Sequence, residues 1–146
     1  MKVSVHAAST GIISLLILVT VNWHSAVLFF IGGVLIDIDH YLNYAIRKRD
    51  LSLIRAYNWH LKILKEIRAN PEKYMVFHVF HSIEFMLLVL VISYFFNNYF
   101  LLLGVGFHSL LDMIESFRCR TPSVRKLSFI QYLIVKRKVK KDKIIL

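Results

Sequence analysis

Four apolar runs, Val5 to Val21, Ala26 to Ile46, Met75 to Phe96 and Tyr99 to Phe117, contain no Lys or Arg. Each is close to the ~20 residues a helix needs to cross the hydrocarbon core of a bilayer. With 57% hydrophobic residues among 146, the chain carries more apolar surface than one small water-soluble core can hide. Only Asn22, Trp23, His24 and Ser25 separate the first two runs, and only Asn97 and Asn98 the last two. Both pairs read as helical hairpins closed by short uncharged turns. The pattern predicts an all-α fold, an integral membrane bundle of about four transmembrane helices.

The net charge is +10, from 19 Lys plus Arg against 9 Asp plus Glu. In a soluble domain that balance points to nucleic acid, but its distribution here points elsewhere. One basic residue is Lys2, eight lie between Arg47 and Lys73, and ten between Arg118 and Lys143. The positive-inside rule then places both termini and the long connection in the cytoplasm, in a multi-pass protein of the inner membrane. It makes anionic lipid headgroups the expected partner and excludes nucleic acid. Lys2 followed by an apolar stretch resembles a secretory signal. No small-residue cleavage motif follows it, so the first run is expected to stay as a helix. The single cysteine, Cys119, excludes an internal disulfide.

In the long connection Leu51, Ile54, Tyr57, Leu61 and Leu64 recur at three- and four-residue spacing, with Arg55, Lys62, Lys65 and Arg68 on other faces. This predicts a cytoplasmic amphipathic helix over about 50–70, lying on the membrane surface or against a cytoplasmic partner. Asn70-Pro71-Glu72 reads as a cap and first turn that restart the chain as the third membrane helix. The organisation expected is a transmembrane domain over 1–117, including that interfacial helix, and a basic cytoplasmic tail over 118–146.

An ionisable side chain inside a membrane helix costs about 2.5–3.5 kcal/mol on insertion scales, so function is its default explanation. This chain has ten: His6; Asp37, Asp39 and His40; His78, His81 and Glu84; His108, Asp112 and Glu115. At about 1.5 Å per residue the principal ones come out at similar depths below the cytoplasmic face. On regular helices Asp37 with His40, His78 with His81, and His108 with Asp112 each share a face. Asp39 lies about 200° around from Asp37 and needs an unwound turn or a different contact. Imidazole mixed with carboxylate is the ligand chemistry of Zn²⁺, Mn²⁺ and non-haem Fe, and a cation offsets the cost of several buried carboxylates. A divalent metal ion is therefore the expected cofactor. His24, in a turn, and His60, on the surface helix, read as ordinary residues.

His6 with Gly11, the segment Asp37-Ile38-Asp39-His40, His81-Ser82, and Gly104 followed by His108 and Asp112 occur in that order. In these motifs the chain resembles the membrane-bound metal-dependent hydrolases of the LexA-regulated inner-membrane type. The resemblance implies that His6, Asp37, Asp39, His40, His81, His108 and Asp112 belong to the metal site, restoring Asp39 to it. Two positions depart from the family pattern. Ile36 stands where Pro is usual before the first Asp, and Phe77-His78-Val79-Phe80 replaces the usual His-Arg, with His78 as the substitute ligand from the next turn.

The leading expectation is a metal-dependent hydrolase acting on a lipid-linked phosphoester at the cytoplasmic interface, with Glu84 or Asp39 as general base. Arg47, Arg118 and Arg120 are candidates to hold a phosphate, or simply anchors at the membrane surface. The alternative is a metal-binding membrane protein without hydrolase activity, a cation transporter or sensor. Haem ligation by paired histidines is disfavoured by Asp37, Asp39 and Asp112, because a neutral porphyrin pocket has no use for three carboxylates.

Overall fold

The computed structural model describes residues 3–138 and 144–145, so Lys2, Lys140, Lys141 and Lys143, counted above among the cytoplasmic charges, lie outside the described residues. The described chain is mostly helical, as expected. It divides into two compact units, residues 1–37 with 84–115 and residues 38–83 with 116–146.

The first unit contains α1 (Val3–Thr20), α2 (Trp23–Val34), a 3-10 turn at Leu35–Asp37, and most of α5 (Ile83–Phe95) and α6 (Phe100–Arg118). The α1–α2 connection is as short as its sequence requires. The Asn22 side chain accepts a hydrogen bond from Ser25 N at 2.9 Å and so satisfies a free amide at the start of α2. Helices α2 and α6 meet backbone to backbone at glycines. A Cβ on Gly32 would stand 2.4 Å from Leu101 O, and one on Gly104 2.3 Å from Phe29 O. Only a residue without a side chain permits that approach.

Burial in this unit is unlike that of a water-soluble protein. The interior holds His6, Thr10, Ser14, Ser25, Ser93, His108 and Asp112 beside Ala26, Phe29, Ile36, Val89 and Val105, while Ile12, Leu15, Leu16, Val19, Leu87, Leu88, Phe95 and Leu103 face outward. Water-soluble folds rarely leave so much contiguous apolar surface uncovered. Two helical stretches, Trp23–Lys48 and Phe100–Arg118, are long and apolar enough to cross a membrane, and Ser4–Thr20 and Ile83–Phe95 are apolar but shorter.

The second unit contains α3 (Ile38–Lys48), α4 (Leu53–Ala69), β1 (Tyr74–Phe77), β2 (Arg125–Lys126), α7 (Phe129–Lys138) and β3 (Ile144–Ile145). Strand β1 lies between β2 and β3 and pairs with both in parallel. The third helix differs from the sequence expectation. Rather than running from Met75, the chain makes a 3-10 turn at Pro71–Lys73, the strand β1, and a second 3-10 turn at Val79–His81 before α5 begins at Ile83. Pro71 does open a turn, but the Asn70 side chain makes no capping hydrogen bond. The reason for the strand is tertiary. Tyr74-Met75-Val76-Phe77 is rich in aromatic and β-branched residues, and the 121–127 segment supplies its partner, with Val124 O accepting from Val76 N at 2.9 Å. The described residues after Ser116 fall in one unit with 38–83.

Helix α4 forms where its periodicity predicted, starting at Ser52, whose hydroxyl accepts from Arg55 N. It has two apolar faces. Trp59, Ile63 and Ile67 pack on a core of Tyr74, Val76 and Val124, whereas Leu53, Ile54 and Tyr57 remain exposed. The helix entrance is tied by Arg55, which donates twice to Asp50 at 2.6 and 2.7 Å, and by Tyr44, which donates to the same carboxylate. The Arg55 and Tyr44 bonds hold the Asp50 carboxyl well below its usual pKa. The contribution of this tie is therefore present above the ordinary carboxylate range and fades as pH falls through the lowered value.

Candidate metal centre

Four predicted ligands of the first unit converge. His6 comes from α1, Asp37 from the 3-10 turn that ends α2, and His108 and Asp112 from successive turns of α6. His6 and His108 are 0% exposed and Asp112 is 2% exposed. The two imidazoles stack at 3.9 Å between centroids, 13° from parallel. His6 Nε2 lies 3.2 Å from Asp112 Oδ1, and His108 Nε2 lies 3.4 Å from Asp37 Oδ1 and 3.6 Å from Asp112 Oδ2.

The orientation of His108 is set by backbone. Its Nδ1–H donates to Gly33 O at 2.9 Å, which directs Nε2 at the two carboxylates. Nε2 thus faces anionic oxygens, where either a proton on the ring or a bound cation can sit. A backbone carbonyl on the outer nitrogen of a histidine is also the usual partner of a metal ligand, fixing its tautomer.

The donor spacing fits an ion. Atoms at about 2.0–2.1 Å from a tetrahedral metal lie about 3.3 Å apart, and the three measured contacts run from 3.2 to 3.6 Å. Ligand atoms of His6, His108 and Asp112 all lie within 4.8 Å of one another. His6 Nδ1, also buried, has no hydrogen-bond partner among the described residues. These buried His and Asp groups can hold a metal ion.

The remaining predicted ligands belong to the second unit. Asp39 and His40 lie in the first turn of α3, His78 precedes the 3-10 turn after β1 and His81 ends it. Asp39 Oδ2 accepts from His81 Nδ1 at 3.0 Å and from Phe80 N at 3.3 Å. Two pairings expected on regular helices take another form. Asp37 sits in a 3-10 turn of the first unit and His40 in α3 of the second, while His78 precedes and His81 ends a 3-10 turn, with rings 5.6 Å apart. The i,i+4 pair His108 and Asp112 forms as predicted. Glu84, the candidate base, is exposed in the first turn of α5. Arg118 and Arg120 are exposed, and Arg47 donates to Ile145 O at 2.8 Å.

Sequence reasoning missed three participants. Gly33 supplies the carbonyl that aims His108, and Thr10, one turn beyond His6 and 0% exposed, lies against Gly33 with its hydroxyl 3.4 Å from the same carbonyl. The Gly32-Gly33 pair in an apolar helix, with Gly104 later, was the available signal of close helix approach. His60, set aside as a surface residue, places its ring 4.6 Å from that of His40. Comparison with protein-family models, with curated proteins and with solved structures finds no match to this chain.

Proposed function

We propose that the protein is a metal-dependent hydrolase of the cytoplasmic membrane, crossing it four times with both termini inside and acting on a lipid-linked phosphoester at the cytoplasmic interface. The observation that carries this reading is His108 Nε2, aimed by Gly33 O at the carboxylates of Asp37 and Asp112 inside a helical unit whose outer surface is apolar. A bilayer would cover that surface, and α1 and α5 would span as the shorter members of the bundle.

His6, Asp37, His108 and Asp112 would hold a divalent ion, which would supply Lewis-acid activation of water and of the bond under attack. The chain's own residues do the rest. Asp37 and Asp112 neutralise the cation, the Gly33 carbonyl and the His6 ring hold His108 in place, and the surrounding apolar helices exclude bulk water. Glu84, at the start of α5, is the proposed proton acceptor. Arg118 and Arg120, at the basic end of α6, are proposed to meet the phosphate of a lipid headgroup.

The test is metal analysis of detergent-purified protein with a panel of phosphomonoester, phosphodiester and carboxyl-ester substrates presented in micelles. The expected result is bound Zn, Mn or Fe and hydrolysis that a chelator abolishes and the same metal restores. Protein without metal would overturn the reading, and metal without hydrolysis of any substrate would leave only the binding function.

One observation favours transport as the second reading. Thr10 and Ser14 continue the buried face of α1 beyond His6, and the hydroxyls of Ser14 and Ser93 are buried without hydrogen bonds among the described residues. Metal uptake into proteoliposomes distinguishes it from hydrolysis.

The exposed apolar face of α4 bears on the membrane reading independently. Leu53, Ile54 and Tyr57 are exposed beside Lys62, Lys65 and Arg68 of the same helix. Replacing the three basic residues by Glu is expected to reduce binding of this segment to anionic vesicles, at about 1 kcal/mol per lost headgroup contact. Metal content should not change. Co-sedimentation of the corresponding peptide measures the first effect, and metal analysis of the full chain the second.

A further inference from the structure

The second unit gathers more imidazole around one carboxylate than packing requires. His40 meets His78 edge-on at 4.0 Å between ring centroids, lies 5.3 Å from His81 and 4.6 Å from His60, and adjoins Asp39 in sequence. Three separate pieces of chain supply these rings: the first turn of α3, the middle of α4, and the segment after β1. The register of α4 brings His60 there, because its neighbour Trp59 is held against the Tyr74, Val76 and Val124 core and packs 5.7 Å from the Tyr44 ring.

The two oxygens of Asp39 are treated differently. Oδ2 takes both donors, His81 Nδ1–H and Phe80 N–H, whereas Oδ1 is buried with no hydrogen bond among the described residues and lies 3.8 Å from His78 Nδ1. A carboxylate pinned through one oxygen with the other left bare is set up as a monodentate ligand. A metal ion takes up several nitrogen lone pairs and the bare oxygen together. Ligand atoms of Asp39, His40 and His78 all lie within 4.8 Å of one another.

We propose that Asp39, His40 and His78 form a metal site complete within this unit, with His60 of α4 as a further nitrogen ligand and His81 positioning Asp39. Two or three imidazoles with one carboxylate suit Zn²⁺, Co²⁺, Fe²⁺ or Ni²⁺ and reject Mg²⁺ and Ca²⁺. The chain then binds two ions, this one through a nitrogen-rich set and the other through His6, Asp37, His108 and Asp112.

The experiment is titration of chelator-stripped, detergent-solubilised full chain with Co²⁺, followed by absorption spectrum and metal count, with circular dichroism to confirm helix content. Two ions are expected in the wild type. His78→Ala and Asp39→Asn should each retain one ion, the one that His6→Ala loses. His60→Ala, a change on an already folded helix, should weaken one ion about 10–100-fold and shift its visible bands, by analogy with the loss of a supporting ligand contact. One ion in the wild type, or loss of the same single ion in His6→Ala and His78→Ala, would overturn the proposal. An unchanged Co²⁺ spectrum and affinity in His60→Ala would remove His60 from it. None of these readouts depends on turnover, so failure of the hydrolase reading and failure of this one are separable.

Discussion

Asp112→Ala is expected to abolish metal binding at the first unit, lowering affinity at least ~100-fold, beyond the 10–100-fold that loss of an orienting contact brings. One of its oxygens faces His6 Nε2 at 3.2 Å and the other faces His108 Nε2 at 3.6 Å, so this one carboxylate serves both stacked imidazoles. Without it Asp37 alone remains to balance the cation. Removing one member of a buried charged set leaves its partners uncompensated, at a cost of about 3–5 kcal/mol. Thermal unfolding in detergent reads both effects. Added metal should raise the midpoint of the wild type, since an ion at 100 times its Kd contributes about 2.7 kcal/mol, and should raise that of Asp112→Ala less, by no more than a second ion held elsewhere supplies. Glu84→Gln is the companion variant. It should keep the metal and lose hydrolysis, because the amide preserves shape and removes basicity. A metal response in Asp112→Ala equal to that of the wild type would sink the shared site. Metal retained with hydrolysis intact in Glu84→Gln would show that Glu84 is not the base.

Gly104→Val is expected to destabilise the protein by about 1–3 kcal/mol or more, as overpacking at a tight contact does, and to weaken metal binding with it. The added Cβ would meet Phe29 O at 2.3 Å and Gly33 N at 3.0 Å, and both are main-chain atoms that cannot rotate away. Helix α2 must then move off α6. That displaces the Gly33 carbonyl, to which His108 Nδ1 donates. Gly106→Ala, two residues on, is the control. Nothing lies within 4 Å of the position its Cβ would take, so it should be neutral or stabilise the helix by up to about 1 kcal/mol. Melting midpoints and Co²⁺ affinity of the two variants make the comparison. Equal behaviour of Gly104→Val and Gly106→Ala would show that the α2–α6 approach does not hold the cluster together.

Much of the helical framework was written in local pattern. Uninterrupted apolar runs with turn residues between them define α1, α2 and α6, and the spacing of Leu, Ile and Tyr with intervening Lys and Arg defines α4. The identity of most candidate ligands was equally legible, because a charged or imidazole side chain in an apolar run carries a cost that nothing local offsets. The i,i+4 relation of His108 and Asp112 needed only the helical repeat.

Tertiary structure decided the rest. The segment from Tyr74 to Ser82 has the hydropathy of a membrane helix, yet it forms a strand and a 3-10 turn because residues distant in sequence, Val124 to Leu127, supply its hydrogen bonds. Periodicity sees only neighbours along the chain, so a partner fifty residues away leaves no mark on it. The same limit hid His60, whose place beside His40 follows from Trp59 packing on a core built by other segments. It also hid Gly33, whose contribution is a carbonyl that every residue possesses and that only the close packing of α2 against α6 brings to His108. Residue types and spacing thus determined which groups could hold a cation. Which groups share one, and what aims them, was determined by the folded chain, because coordination is a property of distances between atoms that the sequence keeps apart.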